Sequence, residues 1–413
     1  MQRAVCIVSP GNLASNPRVL KEADALHGAG YDVTAIVCNY NEALRQADDE
    51  IEAAVPWKVI RVPRSADEGV TARAAAALAK GLSAVGLDVP VGVAARSART
   101  PVSALLRRAR EVKADLYIAH YVAALPAAAE AARRHGALLG FDAEDFHSGE
   151  GTGSADDAFR MRMIGIVEGA ILPSCAYLTA ASPLIGKAYA ARYGLAQPCT
   201  VLNVFPLSMA PAVPRMRGEG TALRAYWFSQ TIGPDRGLQA FIQAMAQTTA
   251  RVTLDIRGSN RWGHGDALLA LAASLGIGDR VKLLPMAPPS EMVRLAAEYD
   301  IGLSLEADVS ENRRICLTNK VFTYLLAGVP VIVSDTPAQK LLAADLWRAA
   351  RLCSLSDPAG LARTLDVLAS PPILAESAEM AWRLGRERYN WDREQDVLLQ
   401  SVAAAFARQE TAR

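Results

Sequence analysis

AVCIVSPGNLASNPRVLKEADALHGAGYDVTAIV, residues 4–37, decides the fold class. Ala4–Val8 is an unbroken apolar run, the pattern of a parallel strand buried on both faces. A helix follows from Pro17 to Gly28. Asn16 is placed to cap it, and Pro17 suits its first position because the missing N–H has no helical partner there. Val19, Leu20, Ala23 and Leu26 recur at helical spacing, while Lys21, Glu22 and Asp24 fall on the other face. Gly28 and Gly30 end the helix, and Val33–Val37 is the next strand. Strand, helix and strand of these lengths make a βαβ unit.

The same rhythm runs outward. Strands are expected at Lys58–Val62, Leu116–His120, Leu138–Asp142, Tyr177–Ala180 and Thr200–Asn203. It restarts with Leu223–Phe228, Val252–Arg257, Val281–Leu284, Ile301–Leu305 and Pro330–Ser334. The expected fold class is α/β, with two Rossmann-like, doubly wound parallel-sheet domains facing across a cleft. The stretch NVFPLSMAPAVPR, residues 203–215, has three prolines and few charges and reads as a linker. The domains are therefore placed at 1–205 and 216–387. A final segment, 388–413, contains a helix from about Trp391 with Val397, Leu398, Val402 and Phe406 on one face.

The chain has 413 residues, 51% of them hydrophobic and 21% charged, which suits two large cores and excludes a disordered chain. Its formal net charge of +1 provides no global field for nucleic acid. Six scattered cysteines form no CxxC pair, so a zinc site is not expected. Cysteines inside apolar strand-like runs imply a reducing, cytoplasmic compartment. The first apolar run is too short for a signal peptide, and no stretch reaches the ~18–20 apolar residues of a membrane span. Residues 66–110 are rich in alanine and carry Arg73, Lys80, Arg96, Arg99, Arg107, Arg108 and Arg110. They read as helices with solvated basic faces, or as a surface for peripheral contact with an anionic membrane or a lipid-linked acceptor.

In open parallel sheets ligands bind beyond the carboxyl ends of the strands. Three helix starts there carry a cation: Arg18, Arg236 and Lys320. A cation at the positive end of the helix dipole is unfavourable alone, but with free amides it makes an anion site. Two of these starts, TIGPDRG (231–237) and CLTNK (316–320), lie in the second half, so that half is expected to grip a diphosphate. GxGxxG is missing after the first strand, and there is no phosphate-loop or GxSxG motif, which argues against a nicotinamide or flavin enzyme. In the first half His120 ends a strand and should face the cleft. FDAEDFHSGE, residues 141–150, crowds Asp142, Glu144, Asp145, His147 and Glu150 just past another strand, where they could bind acceptor hydroxyls or act as acid or base.

These stretches resemble the retaining glycosyltransferases of group 1, also called family 4, which have the two-domain GT-B fold. The similar segments are residues 15–34, YIAHY (117–121), GFDAEDFH (140–147), TIGPDRGL (231–238), NKVFTYLLAGVPVIVSD (319–335) and RYNWD (388–392). The resemblance implies a nucleoside-diphosphate sugar as donor, a saccharide or lipid-linked acceptor, no cofactor, no metal, and a final helix that crosses back to the first domain. It implies catalytic roles for His120, Arg236 and Lys320. Donor binding would fall to Thr231, Gly233, Arg236, Arg257, Gly258, Thr318, Asn319, Lys320 and Thr323, and acceptor binding to Asn12, Asn16, Arg18, Glu144, Asp145 and His147. The chain departs from the pattern in two respects. The arginine that the family often carries five residues before the position of Arg236 is here Thr231. The family's Glu-x7-Glu pair falls on Ile315 and Thr323, neither of them acidic, and Glu306 and Glu311 do not fit its spacing. Alternatives are a nucleotide-sugar epimerase on the same fold and a non-catalytic relative that binds a nucleotide sugar.

Overall fold

A computed structural model describes residues 2–63, 68–98, 103–215 and 221–411. Arg99 of the basic stretch lies outside them. The chain forms two compact units. The first is Met1–Val201 with Ser310–Asn312 and Gln395–Arg413, and the second is Leu202–Val309 with Arg313–Glu394.

The first unit is built on a seven-stranded sheet: β1 (Ala4–Val8), β2 (Asp32–Asn39), β3 (Lys58–Pro63), β4 (Leu116–His120), β5 (Leu138–Ala143), β6 (Tyr177–Ala180) and β7 (Cys199–Thr200). Their spatial order is β3-β2-β1-β4-β5-β6-β7, and every pair is parallel. β7 has two residues and shares only Thr200 with the expected strand 200–203, as suits an edge with one neighbour. The expected helix is Pro17–Gly28, with the Asn16 side chain accepting from Val19 N–H. The alanines of Tyr121–His135 at positions 123, 124, 127, 128, 131 and 132 are all buried, so this helix lies close against its neighbours. The basic stretch forms helices at Glu68–Ala84, Val91–Ala98 and Ser103–Ala109.

The second unit has six parallel strands: β8 (Leu223–Thr231), β9 (Val252–Ser259), β10 (Val281–Leu284), β11 (Ile301–Ser304), β12 (Val331–Ser334) and β13 (Ala350–Cys353). Their order is β10-β9-β8-β11-β12-β13. Its core gathers Trp227, Phe241, Ile242, Leu254, Ile256, Leu303 and Ile332, each 0% exposed. β13 is an addition to the strands expected from sequence. Leu202 and the linker residue Leu207 donate their N–H groups to Glu394 and Asp392, at the start of the helix Trp391–Thr411.

In each sheet the chain leaves the first strand in one direction and later returns to its other side. The reversal falls between β1 and β4 and between β8 and β11. Loops diverge at such a point and leave a crevice at the carboxyl end of the sheet, where this architecture takes its ligands.

Candidate functional site

At the switch point of the second unit, β11 ends at Ser304 and the chain reaches Glu306 two residues on. Its main chain is fixed from both sides by Ser334, which accepts from Glu306 N–H (2.9 Å) and donates to its carbonyl (2.8 Å). Its side chain is wholly buried, and three cations meet on it. Lys320 Nζ lies 2.9 Å from Oε1, Arg313 Nη1 3.1 Å from Oε2, and Arg236 Nη1 3.2 Å from Oε2. Burial works to raise the Glu306 carboxyl, but the three cations outweigh it and lower its pKa. For Lys320 burial is the largest influence and lowers the ammonium's pKa, with Arg236 and Arg313 adding to it and Glu306 opposing.

Local structure aims these groups. Arg236 lies in the turn before its helix, which begins at Leu238 rather than at the arginine. Gly237 makes that turn with φ of 64°, and a Cβ there would come within 2.7 Å of Leu305 Cβ, so only glycine lets the two loops approach. Lys320 is in the first turn of the helix Asn319–Leu326. Thr318 precedes this helix without capping it, and its hydroxyl lies 3.3 Å from Ser304 Oγ. Three cations around one carboxylate leave a net surplus of positive charge beside a helix N-terminus, a setting suited to an anion.

The other residues read as donor-binding are distributed around this centre. Thr231 ends β8, and Gly233 opens the turn to Arg236. Arg257 donates to Tyr226 Oη (2.7 Å) and to the Pro285 carbonyl (2.7 Å), and Gly258 packs against the Ser229 carbonyl. Thr323 is fully buried, and its hydroxyl donates to the Asn319 carbonyl (2.8 Å) within the helix. Position 323 thus offers no free polar group. Glu306 is the residue that spacing missed, because its partners stand 7, 14 and 70 residues away.

The first unit holds a second charged centre at its own switch point. Arg18 grips Asp142 with two hydrogen bonds, Nε to Oδ2 (2.5 Å) and Nη2 to Oδ1 (2.7 Å), and donates a third to the Val201 carbonyl. Both side chains of the pair are inside the protein. Thr179 also donates to Asp142 Oδ1 (2.6 Å). Burial works to raise the Asp142 carboxyl, but Arg18 and His120 prevail and hold it at about 2. His120 is 1% exposed. Its Nε2 bonds Glu22, and its Nδ1 lies 3.4 Å from Asp142 Oδ2. Burial opposes its charge, yet the carboxylates win and its pKa rises above the ordinary histidine value.

Glu22, His120 and Asp142 are also the one set of side chains among the described residues spaced to hold a metal ion. Asp142 already has Arg18 on both oxygens, so the positive charge of the cluster comes from the guanidinium.

Around it, Asn12 is tied to Asp48 (2.6 Å) and Asn41, Asn16 to its helix cap, and Asp145 to Asn312 (2.8 Å). Glu144 accepts from Tyr121 Oη (2.8 Å), and burial raises its pKa. His147 Nδ1 meets Glu150 (2.6 Å); burial works to lower the histidine pKa, but Glu150 with Asp145 and Glu168 raises it. Tyr121, directly after His120, has φ of 62°, a left-handed backbone that a bulky residue adopts only under constraint.

Residues 235–400, less than half of the chain, match the model of a family described as glycosyl transferase-like. No curated protein matches the sequence. Among solved structures the chain resembles HepE of Anabaena in complex with UDP and glucose, at 14% identity and a TM-score of 0.70, over 98% of this chain and 100% of that one. The fold is GT-B. Sucrose-phosphate synthase of Thermosynechococcus elongatus shares GT-B at 14% identity and a TM-score of 0.69, over 98% and 100% of the two chains. A mutant of Staphylococcus aureus TarM, solved with fondaparinux, alpha-GlcNAc-glycerol and UDP, matches at 9% identity and 0.68, over 97% and 99%.

Proposed function

We propose that this chain is a glycosyltransferase of the retaining family 4 type that moves a sugar from a nucleoside-diphosphate sugar to an acceptor hydroxyl. The observation that carries the reading is the meeting of Arg236, Arg313 and Lys320 at the switch point of the second unit, beside an uncapped helix. The glycosyl transferase-like match includes all three, and HepE of Anabaena was solved with UDP and with UDP-glucose.

Breaking the bond from anomeric carbon to phosphate builds negative charge on the leaving diphosphate. Cations and amides already in place stabilise that charge more in the transition state than in the ground state. In this reading Arg236 and Lys320 do this work without a metal. The acceptor, a saccharide or lipid-linked saccharide held by the first unit, attacks from the face the donor leaves, and the departing phosphate oxygen takes its proton. His120, held between Glu22 and Asp142, belongs to the acceptor side in this reading. We place the activity in bacterial polysaccharide or glycoconjugate synthesis, in the cytoplasm or at the inner face of the membrane. Among the described residues no helix is long and apolar enough to cross a membrane.

A second reading, a nucleotide-sugar binder without transfer, is favoured by Thr323, whose hydroxyl is bound internally at the position where the family carries a glutamate. A thermal-shift screen of nucleoside diphosphates and their sugars, followed by acceptor-dependent release of the diphosphate, tests both. Stabilisation with release supports the transferase, and stabilisation without release on any acceptor supports the binder. Conversion of the donor alone identifies an epimerase. No response to any diphosphate defeats the whole reading.

A further inference from the structure

The transferase mechanism uses the cations but gives no task to the carboxylate they surround. A carboxylate at the floor of a phosphate site opposes the ligand, yet Glu306 is 0% exposed and touches all three cations. Exposure rises outward from it, from 6% for the Lys320 side chain to 20% for Arg236 and 31% for Arg313. The acid is therefore at the bottom of the array, with the cations between it and any ligand. Its backbone is locked by Ser334, so it does not swing away when an anion arrives.

We propose that Glu306 is a built-in counter-ion of the diphosphate site. It holds Arg236, Arg313 and Lys320 together while the site is empty, and it limits how tightly a diphosphate is held, so that the product can leave. The inference rests on the donor-site reading above. Its physical basis is that three like charges repel unless an anion lies among them, and that the same anion repels the phosphates it helps to seat. An array of bare cations would bind the leaving diphosphate as firmly as the transition state, and release would then limit turnover.

The test compares wild type with Glu306→Gln, which keeps the shape and removes the charge. Affinity is measured for UDP and for inorganic pyrophosphate by calorimetry, with donor kinetics alongside. Glu306→Gln should lower the unliganded melting temperature and tighten both ligands about tenfold. Both kcat and the donor KM should fall, with release of diphosphate becoming slower. A residue that only supports the fold would weaken binding and raise KM. If wild type binds and the variant binds equally or more weakly, the counter-ion role is overturned while the donor site stands. If neither binds, both fail. If only the variant binds, wild type has no diphosphate site for Glu306 to serve, and both readings fall. Should Glu306→Gln fail to fold, Glu306→Asp carries the same test. It retains the charge but draws it back from the cations, and a smaller tightening is expected. Unchanged or weaker binding overturns the proposal.

Discussion

Arg18 and Asp142, 124 residues apart, form a two-pronged ion pair with both side chains 3% exposed. A buried pair of this kind says little about net stability, because desolvation of both charges offsets their attraction. Losing one partner is another matter. It also brings the first turn of the Pro17–Gly28 helix onto the end of β5, and so arranges the surroundings of His120.

Asp142→Ala leaves the Arg18 guanidinium buried with only the Val201 carbonyl to accept from it. Breaking a buried pair from one side costs about 3–5 kcal/mol. Denaturant melts followed by amide exchange in Leu116–His120 should show a loss of this size confined to the first unit. A change under about 1 kcal/mol would mean that the pair is open to water in solution.

His120 has a pH consequence. Its folded pKa is raised, so its pairing with Glu22 contributes stability that is fully present below the unfolded value, about 6.5. That contribution is lost as pH rises through the higher folded value. His147, raised by Glu150, acts in the same direction. Protection of the β4 amides should therefore fall as pH climbs from about 6.5, and His120→Gln should flatten much of the dependence. A slope unaltered in the variant would refute the assignment.

Local signals in the sequence carried much of this architecture. Asn16 and Pro17 mark the first helix start, and short, mainly apolar runs fix Leu116–His120, Tyr177–Ala180 and Val281–Leu284 to the residue. Ala350–Cys353 was hidden because Arg351 breaks a short, half-exposed run. The charged centres were harder to read for a different reason. Arg18 with Asp142 and Arg236 with Glu306 are joined by sheet topology, not by helical or strand spacing. The signal available for Glu306 was an acid placed one residue past the run Ile301–Ser304 and its following leucine, a costly position for a charge unless cations are close.

Arg236→Ala and Lys320→Ala should each lower turnover at least about tenfold, up to the ~10²–10³ typical of losing one contact to developing charge. The fold should survive each change, because Glu306 keeps two of its three cations. Diphosphate release measured at saturating donor, with circular dichroism to confirm folding, checks this. Normal turnover in both variants would remove the diphosphate site from the mechanism.

Gly302 offers a test that touches no ligand. It lies in β11 directly under the ring of Tyr324, and any Cβ there would overlap the ring. Tyr324 is fully buried, with its hydroxyl donating to the Tyr226 carbonyl (2.9 Å), so the ring has no room to retreat. Gly302→Ala must therefore push the Asn319–Leu326 helix outward, at the cost of about 1–3 kcal/mol usual for overpacking. Lys320 is one turn before Tyr324 on that helix and moves with it. Misplacement of a charge by a fraction of an ångström to 1 Å can cost up to ~10²-fold in rate. Gly302→Ala should thus lower kcat more than its modest loss of melting temperature suggests, and the double variant with Lys320→Ala should be little slower than Lys320→Ala alone. Fully additive losses would show that the helix position and the lysine act independently.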